Sequence, residues 1–441
     1  MKISIIGGGG TRVPILVEAL LAAQAQLGLT ELSLIDPDEP RTLAIARVLT
    51  ALLQEKKSEV KISYPATFRE CVTQAAFVFL AIRVGGDHFR TLDERIPLAL
   101  NVLGQETVGA GGFAMAVRTI PVILTMLKEI QAVAPEAWCI NLTNPSGILT
   151  QAMVTSGNFQ KVVGICDAPT LLSFFIAYLL KVKQEAIILD YYGLNHCGFV
   201  KAAYVAGQNV LPLALARLKQ APGFEARTHF SPAFVQHLGQ LPNEYLWYYI
   251  FKEASLAAVK AAKQTRGEAV EALNTELITA LLKTETPLPI YREYLSGRAN
   301  GHLAEKYRRK MGLTNTGGYS RVAMEVLLAL AGQAPAVVPV NTKNQGAITG
   351  LGFDAVVEVP ALITEKLIRP LAVGPLEPRA EVLLAEVKAY ENALVTAVQK
   401  QSLEALIKAL ALNPLVPSLA VARELVAAFK QQEAPYFDAF K

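Results

Sequence analysis

The chain begins with a strand-length apolar run, Lys2–Ile6, that stops on four consecutive glycines. Gly7, Gly8, Gly9 and Gly10 lead through Thr11 into a helical pattern from Val13. Glycines at a strand-to-helix turn let backbone amides approach a pyrophosphate, and the helix N-terminus behind them favours its negative charge. The spacing is not a clean G-x-G-x-x-G, because Arg12 stands where a third glycine is expected. A second run, Glu31–Ile35, ends on Asp36, at the right distance and position to accept ribose hydroxyls. Gly7, Gly8, Gly9, Gly10, Thr11 and Asp36 are therefore the candidate cofactor site. A carboxylate there favours NAD over its 2′-phosphate form. The competing reading is a glycine-rich turn in an unrelated α/β protein, with Asp36 as a helix cap.

The pattern continues. Ala75–Ile82, Ala137–Asn141 and Lys161–Cys166 read as buried strands, and segments near 13–25, 39–56, 115–131 and 146–155 as helices. Strands that are apolar throughout, without alternation, indicate a parallel sheet covered on both faces. Right-handed crossovers then give a Rossmann-like, doubly wound α/β domain. Beyond about residue 190 the rhythm changes. Tyr191–Val205 reads as strand and turn, 252–283 as helical, and Ala336–Asn341 with Val356–Pro360 as a strand pair. The last sixty or so residues read as helical, broken at Asn413-Pro414. At 441 residues the chain exceeds what one core usually fills. Two domains are expected: 1–190, NAD-binding, and 191–441, an α+β domain for substrate, metal completion and oligomerisation.

Composition narrows the function classes. Hydrophobic residues are 52% and charged ones 18%, which favours a large core or an extensive subunit interface over disorder. A net charge of +4 with no basic run does not imply a nucleic-acid partner. Cys71, Cys139, Cys166 and Cys197 lie far apart, and the strand pattern from Lys2 leaves no room for a signal peptide. Free thiols in a cytoplasmic protein are expected. The longest apolar runs, such as Leu171–Leu180, fall short of a membrane span, so no membrane association is expected.

Cys166-Asp167-Ala168-Pro169 closes the last strand of the first domain, at the carboxyl edge where open α/β sheets bind ligands. Gly193-Leu194-Asn195-His196 follows thirty residues later. A thiolate and an imidazole can hold a borderline divalent metal and leave positions open for substrate oxygens. Taken singly, each is more often packing or structural. Asn144, in the turn Asn141-Leu-Thr-Asn-Pro145, offers an amide to a sugar or keto acid. Pro242-Asn-Glu-Tyr245-Leu-Trp-Tyr248-Tyr249 offers tyrosines that on a blind count are core or interface aromatics. Arg83 suits an anionic group, or pairs with Glu106 of Gly104-Gln-Glu106.

Taken together, these segments resemble the family-4 glycoside hydrolases, the NAD- and metal-dependent phosphoglycosidases, which depart from two-carboxylate glycosidase chemistry. The resemblance runs nearly end to end. It rests on the opening glycine turn with Asp36, Arg83-Val-Gly-Gly, Asp93-Glu-Arg-Ile-Pro97, Gly104-Gln-Glu-Thr107, Thr143-Asn-Pro-Ser-Gly147 and Gly164-Ile-Cys-Asp167. Tyr192-Gly-Leu-Asn-His196, Pro242–Tyr249, Thr265-Arg266 and Asn341-Thr-Lys-Asn-Gln-Gly346 continue it.

The resemblance implies that Cys166 and His196 bind the metal, usually manganese, and that Tyr245 is the base and Asp167 the acid. It implies Asn144 as a substrate contact, and Arg83 with Arg266 as phosphate partners. The implied substrate is a 6-phospho-glucoside or phosphorylated disaccharide, and the implied assembly a homodimer or homotetramer. Cys166-Asp167-Ala168-Pro169 leans towards the α-acting members and Thr143–Gly147 towards the β-acting ones. Gly10-Thr11-Arg12 departs from the more familiar Ser-Ser-Tyr turn. In the implied chemistry a hydride moves from C3 to NAD+, which acidifies the C2 proton. Removing that proton expels the C1 aglycone, water adds back, and the hydride returns. The alternatives are an NAD-dependent dehydrogenase of a hydroxy acid or sugar acid, and an NAD-sensing regulator without turnover.

Overall fold

The computed structural model describes residues 1–300 and 318–441. Six parallel strands form its centre: β1 (Lys2–Ile6), β2 (Glu31–Ile35), β3 (Lys61–Ser63), β4 (Phe77–Leu80), β5 (Trp138–Asn141) and β6 (Val162–Gly164). Their spatial order is β6-β5-β4-β1-β2-β3, the doubly wound arrangement in which order reverses between β1 and β4.

Period-two side-chain alternation explains why these strands are apolar throughout. Ile3, Ile5, Leu32, Leu34, Phe77 and Phe79 enter one hydrophobic layer, with helices Val13–Ala22 and Glu39–Lys56. Ile6, Val78, Leu80 and Cys139 enter the opposite layer, with helices Gly109–Val133 and Ser146–Thr155. The strand expectations hold, most closely at β1 and β2.

Gly109–Val133 corrects the reading of apolar runs. Its 25 residues are long and apolar enough to cross a membrane by length and composition alone. Charged residues such as Arg118 break it into runs too short to stand out. It is a core helix here, with Phe113, Ile120 and Ile123 at 0% exposure.

The second half both extends this sheet and builds a second one. Strands β7 (Ile188–Leu194) and β8 (Cys197–Val205) form an antiparallel hairpin, joined by the short β9 (Gln208–Asn209) and β10 (Leu241–Pro242). Strands β11 (Ala336–Lys343), β12 (Val356–Thr364) and β13 (Leu367–Pro370) then add antiparallel to the edge of β6, where Asn341 faces Gly164. The carboxy-terminal helices Pro378–Lys400, Leu403–Ala411 and Leu419–Gln432 cover the layer that contains Ile6 and Leu80. Every loop singled out after a parallel strand therefore opens on one edge of the sheet.

Candidate active site

The glycine turn is shaped by what lies across from it. Gly7 has φ +89°, and a Cβ there would sit 2.3 Å from the Ala81 carbonyl oxygen, so a side chain is excluded on two counts. The Gly7 and Gly8 amides both donate to the Ile35 carbonyl at 2.9 Å. The Gly9 amide donates to Asp36 Oδ2 at 3.1 Å, and the Asp38 amide to Asp36 Oδ1 at 3.0 Å. Asp36 is therefore not the helix cap: Asp38 caps Glu39–Lys56, accepting from the Arg41 amide. Burial raises the Asp36 carboxyl against the pull of those two amides. Thr11 is held from the second half, its carbonyl accepting from the Tyr291 hydroxyl at 2.8 Å and its Oγ1 from that of Tyr294 at 3.2 Å.

Cys166 and Asp167 follow β6 after one intervening residue, Ile165. Asp167 begins helix Ala168–Leu180 without using its carboxylate as a cap. His196 occupies the two-residue turn between β7 and β8, where Leu194 pairs with Cys197, and has φ +61°. Cys166 and His196 are each 1% exposed. Burial raises the Cys166 thiol, and Glu358 and Asp167 add to the effect; burial pulls the His196 imidazole down to about 3. Among the described residues, neither ring nitrogen of His196 has a hydrogen-bond partner, and neither does Asn144 Oδ1. Buried lone pairs without donors are costly unless something else satisfies them. A neutral imidazole, a thiol and an amide oxygen are a donor set that a divalent cation fits. Among the described residues no group of three His, Cys, Asp or Glu converges, so most of a cation's coordination would fall to other ligands.

Tyr245 lies against this pair. Its ring stacks on His196 with centroids 3.7 Å apart and planes 9° from parallel. Burial, then Glu244, Cys166 and Asp167, raise its phenol well above the ordinary value. Tyr245 is positioned through its backbone, whose amide donates to Asn243 Oδ1 at 2.9 Å. Asn243 Nδ2 donates to the Tyr191 hydroxyl at 3.2 Å, which donates to Glu358 Oε2 at 2.9 Å. The other oxygen, Oε1, accepts from Asn341 Nδ2 at 3.0 Å and Asn195 Nδ2 at 3.4 Å. Glu358 is 0% exposed, and burial pushes its carboxyl up to about 7. One carboxylate thus ties the loop bearing Tyr245 to the turn bearing His196. Asn195 also lies 3.0 Å from where a Gly147 Cβ would be, bringing in the loop that bears Asn144. The sequence reading missed Glu358.

The basic residues separate by partner. Arg83 Nη1 binds Glu106 Oε2 at 2.7 Å and Arg90 Nη2 binds Oε1 at 2.9 Å. Against the burial that would raise it, Arg90 and Arg83 hold Glu106 down to about 2. The pairing alternative for Arg83 is therefore realised. Arg266 starts helix Arg266–Lys283 behind the Thr265 capping box, and the next amide, Gly267, donates to Glu94 at 2.6 Å. Arg227 pairs with Glu244 at 3.1 Å.

The family model described as "Family 4 glycosyl hydrolase" matches residues 2–182 of this chain, and that of the "Family 4 glycosyl hydrolase C-terminal domain" matches residues 191–416. The chain belongs to this family. It is 31% identical over 454 residues to a probable 6-phospho-beta-glucosidase of Bacillus subtilis strain 168, covering 100% of this chain and 98% of that relative. The Thermotoga maritima 6-phospho-beta glucosidase, solved with manganese, NAD+ and glucose-6-phosphate, superposes with a TM-score of 0.84 at 27% identity, covering 99% of both chains. A 6-phospho-alpha-glucosidase from gut microorganisms, in complex with NAD and Mn2+, superposes with a TM-score of 0.86 at 26% identity. That match covers 100% of this chain and 99% of the other. The family membership favours glycosidase chemistry over the dehydrogenase alternative.

Proposed function

We propose that this family-4 enzyme hydrolyses 6-phospho-glucosides, β-linked ones ahead of α-linked ones, with NAD+ and a divalent metal, manganese first. The observation that carries the proposal is the face-to-face contact of Tyr245 with an unpartnered, neutral His196 at the carboxyl edge of a doubly wound sheet. When bound, NAD+ supplies reversible hydride acceptance from C3, and the metal supplies Lewis acidity at the neighbouring oxygens.

The chain's own residues do the rest. Asp36 holds the ribose hydroxyls, while the side-chain-free Gly7–Gly10 turn lets the pyrophosphate approach the backbone ahead of helix Val13–Ala22. Cys166 and His196 hold the cation, and the Asn144 amide orients a sugar oxygen. Tyr245 removes the C2 proton as the tyrosinate, whose charge a cation held at Cys166 and His196 would favour against the burial that raises the phenol. Asp167 gives a proton to the departing C1 oxygen and then takes one from the incoming water. Arg83, beside its pair with Glu106, and Arg266 are the phosphate partners of this reading. Residues 1–190 serve as the cofactor-binding part and 191–441 as the substrate-binding part. The enzyme acts in the cytoplasm as a homodimer or homotetramer; the four free, buried thiols are compatible with a reducing compartment.

The test is an assay of paired α- and β-4-nitrophenyl glucoside 6-phosphates with NAD+ and Mn2+. Faster turnover of the β substrate without net NADH is the expected result. NADH formed in proportion to substrate consumed would favour a dehydrogenase instead.

A further inference from the structure

Arg12, the residue that breaks the glycine pattern, is a basic side chain in the cleft with no carboxylate partner among the described residues. The arginines around it are engaged: Arg83 and Arg90 share Glu106, and Arg227 holds Glu244. Among the described residues no carboxylate lies within ion-pair distance of Arg12. Its guanidinium carbon instead sits 5.2 Å from the centroid of the Tyr319 ring. A guanidinium over an aromatic face keeps its N–H donors free at its edges, the geometry that suits a phosphate. The side chain is solvent-exposed, so those edges are reachable.

Its surroundings say which phosphate. Although the residue is exposed, the protein crowded around it opposes the Arg12 charge, and Asp167, Tyr319, Tyr245 and Glu106 outweigh that opposition and keep the guanidinium protonated. Those neighbours belong to the reacting end of the cleft. Beyond burial, the groups acting most strongly on Asp36, at the ribose end, are Asp38, Gly9 and Arg41. We infer that Arg12, steadied by Tyr319, binds the phosphate of the substrate and sets the preference for phosphorylated over plain glucosides. The inference rests on the phospho-glucoside reading and adds to it a specificity residue that neither the motif nor Arg83 supplies.

The test uses the full chain with NAD+ and Mn2+, as wild type, Arg12→Met and Arg12→Lys. It measures kcat/KM for 4-nitrophenyl glucoside 6-phosphate and for the unphosphorylated glucoside, competitive inhibition by inorganic phosphate, and NAD+ affinity. Losing a charge-assisted contact should lower kcat/KM for the phosphorylated substrate roughly 10- to 100-fold in Arg12→Met, mostly through KM. Phosphate inhibition should weaken in parallel, NAD+ affinity should stay unchanged, and Arg12→Lys should fall between. Unchanged kcat/KM and phosphate inhibition would overturn the inference. So would a loss confined to NAD+ affinity, which would assign Arg12 to the cofactor pyrophosphate. A fall in kcat alone would also overturn it, because it would mean that Arg12 acts through Asp167. A wild-type enzyme inactive on the phosphorylated substrate would sink the underlying reading instead.

Discussion

His196 lies flat on Tyr245, with ring centroids 3.7 Å apart and both ring nitrogens of the histidine without a hydrogen-bond partner among the described residues. An imidazole buried this way costs stability unless its lone pair is used. His196→Ala and Cys166→Ser should therefore lose metal affinity while keeping NAD+ affinity. The loss should exceed about a hundredfold, since even outer-shell partners of a metal site are worth ten- to a hundredfold. Isothermal titration with Mn2+ measures it, and normal binding by either variant would remove that ligand.

Glu358 accepts from Tyr191 on one oxygen and from Asn341 and Asn195 on the other. Glu358→Gln keeps the shape but turns an amide towards three donors, leaving at least one unmatched. Unfolding free energy should fall by about 1–3 kcal/mol. The rate should fall as well, because the same carboxylate spans the base loop and the His196 turn. Urea denaturation beside steady-state kinetics separates the two effects, and a destabilised enzyme with full kcat would make Glu358 a purely structural residue.

If Asp36, held by the Gly9 and Asp38 amides, takes the ribose hydroxyls as proposed, the enzyme should prefer NAD+ to NADP+, whose 2′-phosphate would meet its carboxylate. Titrating both cofactors checks this. Equal affinities would contradict the assignment, and Asp36→Ala should narrow the gap.

Glu106 gives a pH signature. Paired with Arg83 and Arg90, its folded pKa is depressed to about 2 from an ordinary 4.5. A depressed carboxyl stabilises the fold above its unfolded pKa, and that contribution is lost as pH falls from 4.5 towards 2. Glu106→Gln should destabilise the protein at neutral pH and flatten its acid unfolding limb. An unchanged limb would mean the pair contributes nothing.

Much of this architecture was legible in the sequence because buried parallel strands have no polar face to hide. Lys2–Ile6 and Glu31–Ile35 read to the residue. By contrast, Lys61–Ser63 is a three-residue edge strand with an exposed lysine, and the charged helix Gly86–Ala99 carries no long apolar run, so neither registered. Cys166, Asp167, His196 and Tyr245 were legible as motif members. Glu358 was not, because its role depends on partners such as Asn195, 163 positions away, and its segment reads only as strand. Arg12 registered only as a departure from a glycine pattern, since what gives it meaning is Tyr319 beneath it and the engaged arginines around it.

In the proposed mechanism Tyr245 removes the C2 proton of a sugar first oxidised at C3. Turnover in heavy water, with the product sugar analysed by NMR, reads out this step. Deuterium at C2 is expected, and Tyr245→Phe should keep NAD+ and metal binding while losing roughly a hundred- to ten-thousandfold in rate. Tyr248→Phe and Tyr249→Phe should retain most of the rate. Direct displacement at C1 never breaks the C2–H bond. Product with a fully protonated C2 would contradict the redox–elimination route, and a Tyr245→Phe enzyme at near full rate would contradict the base.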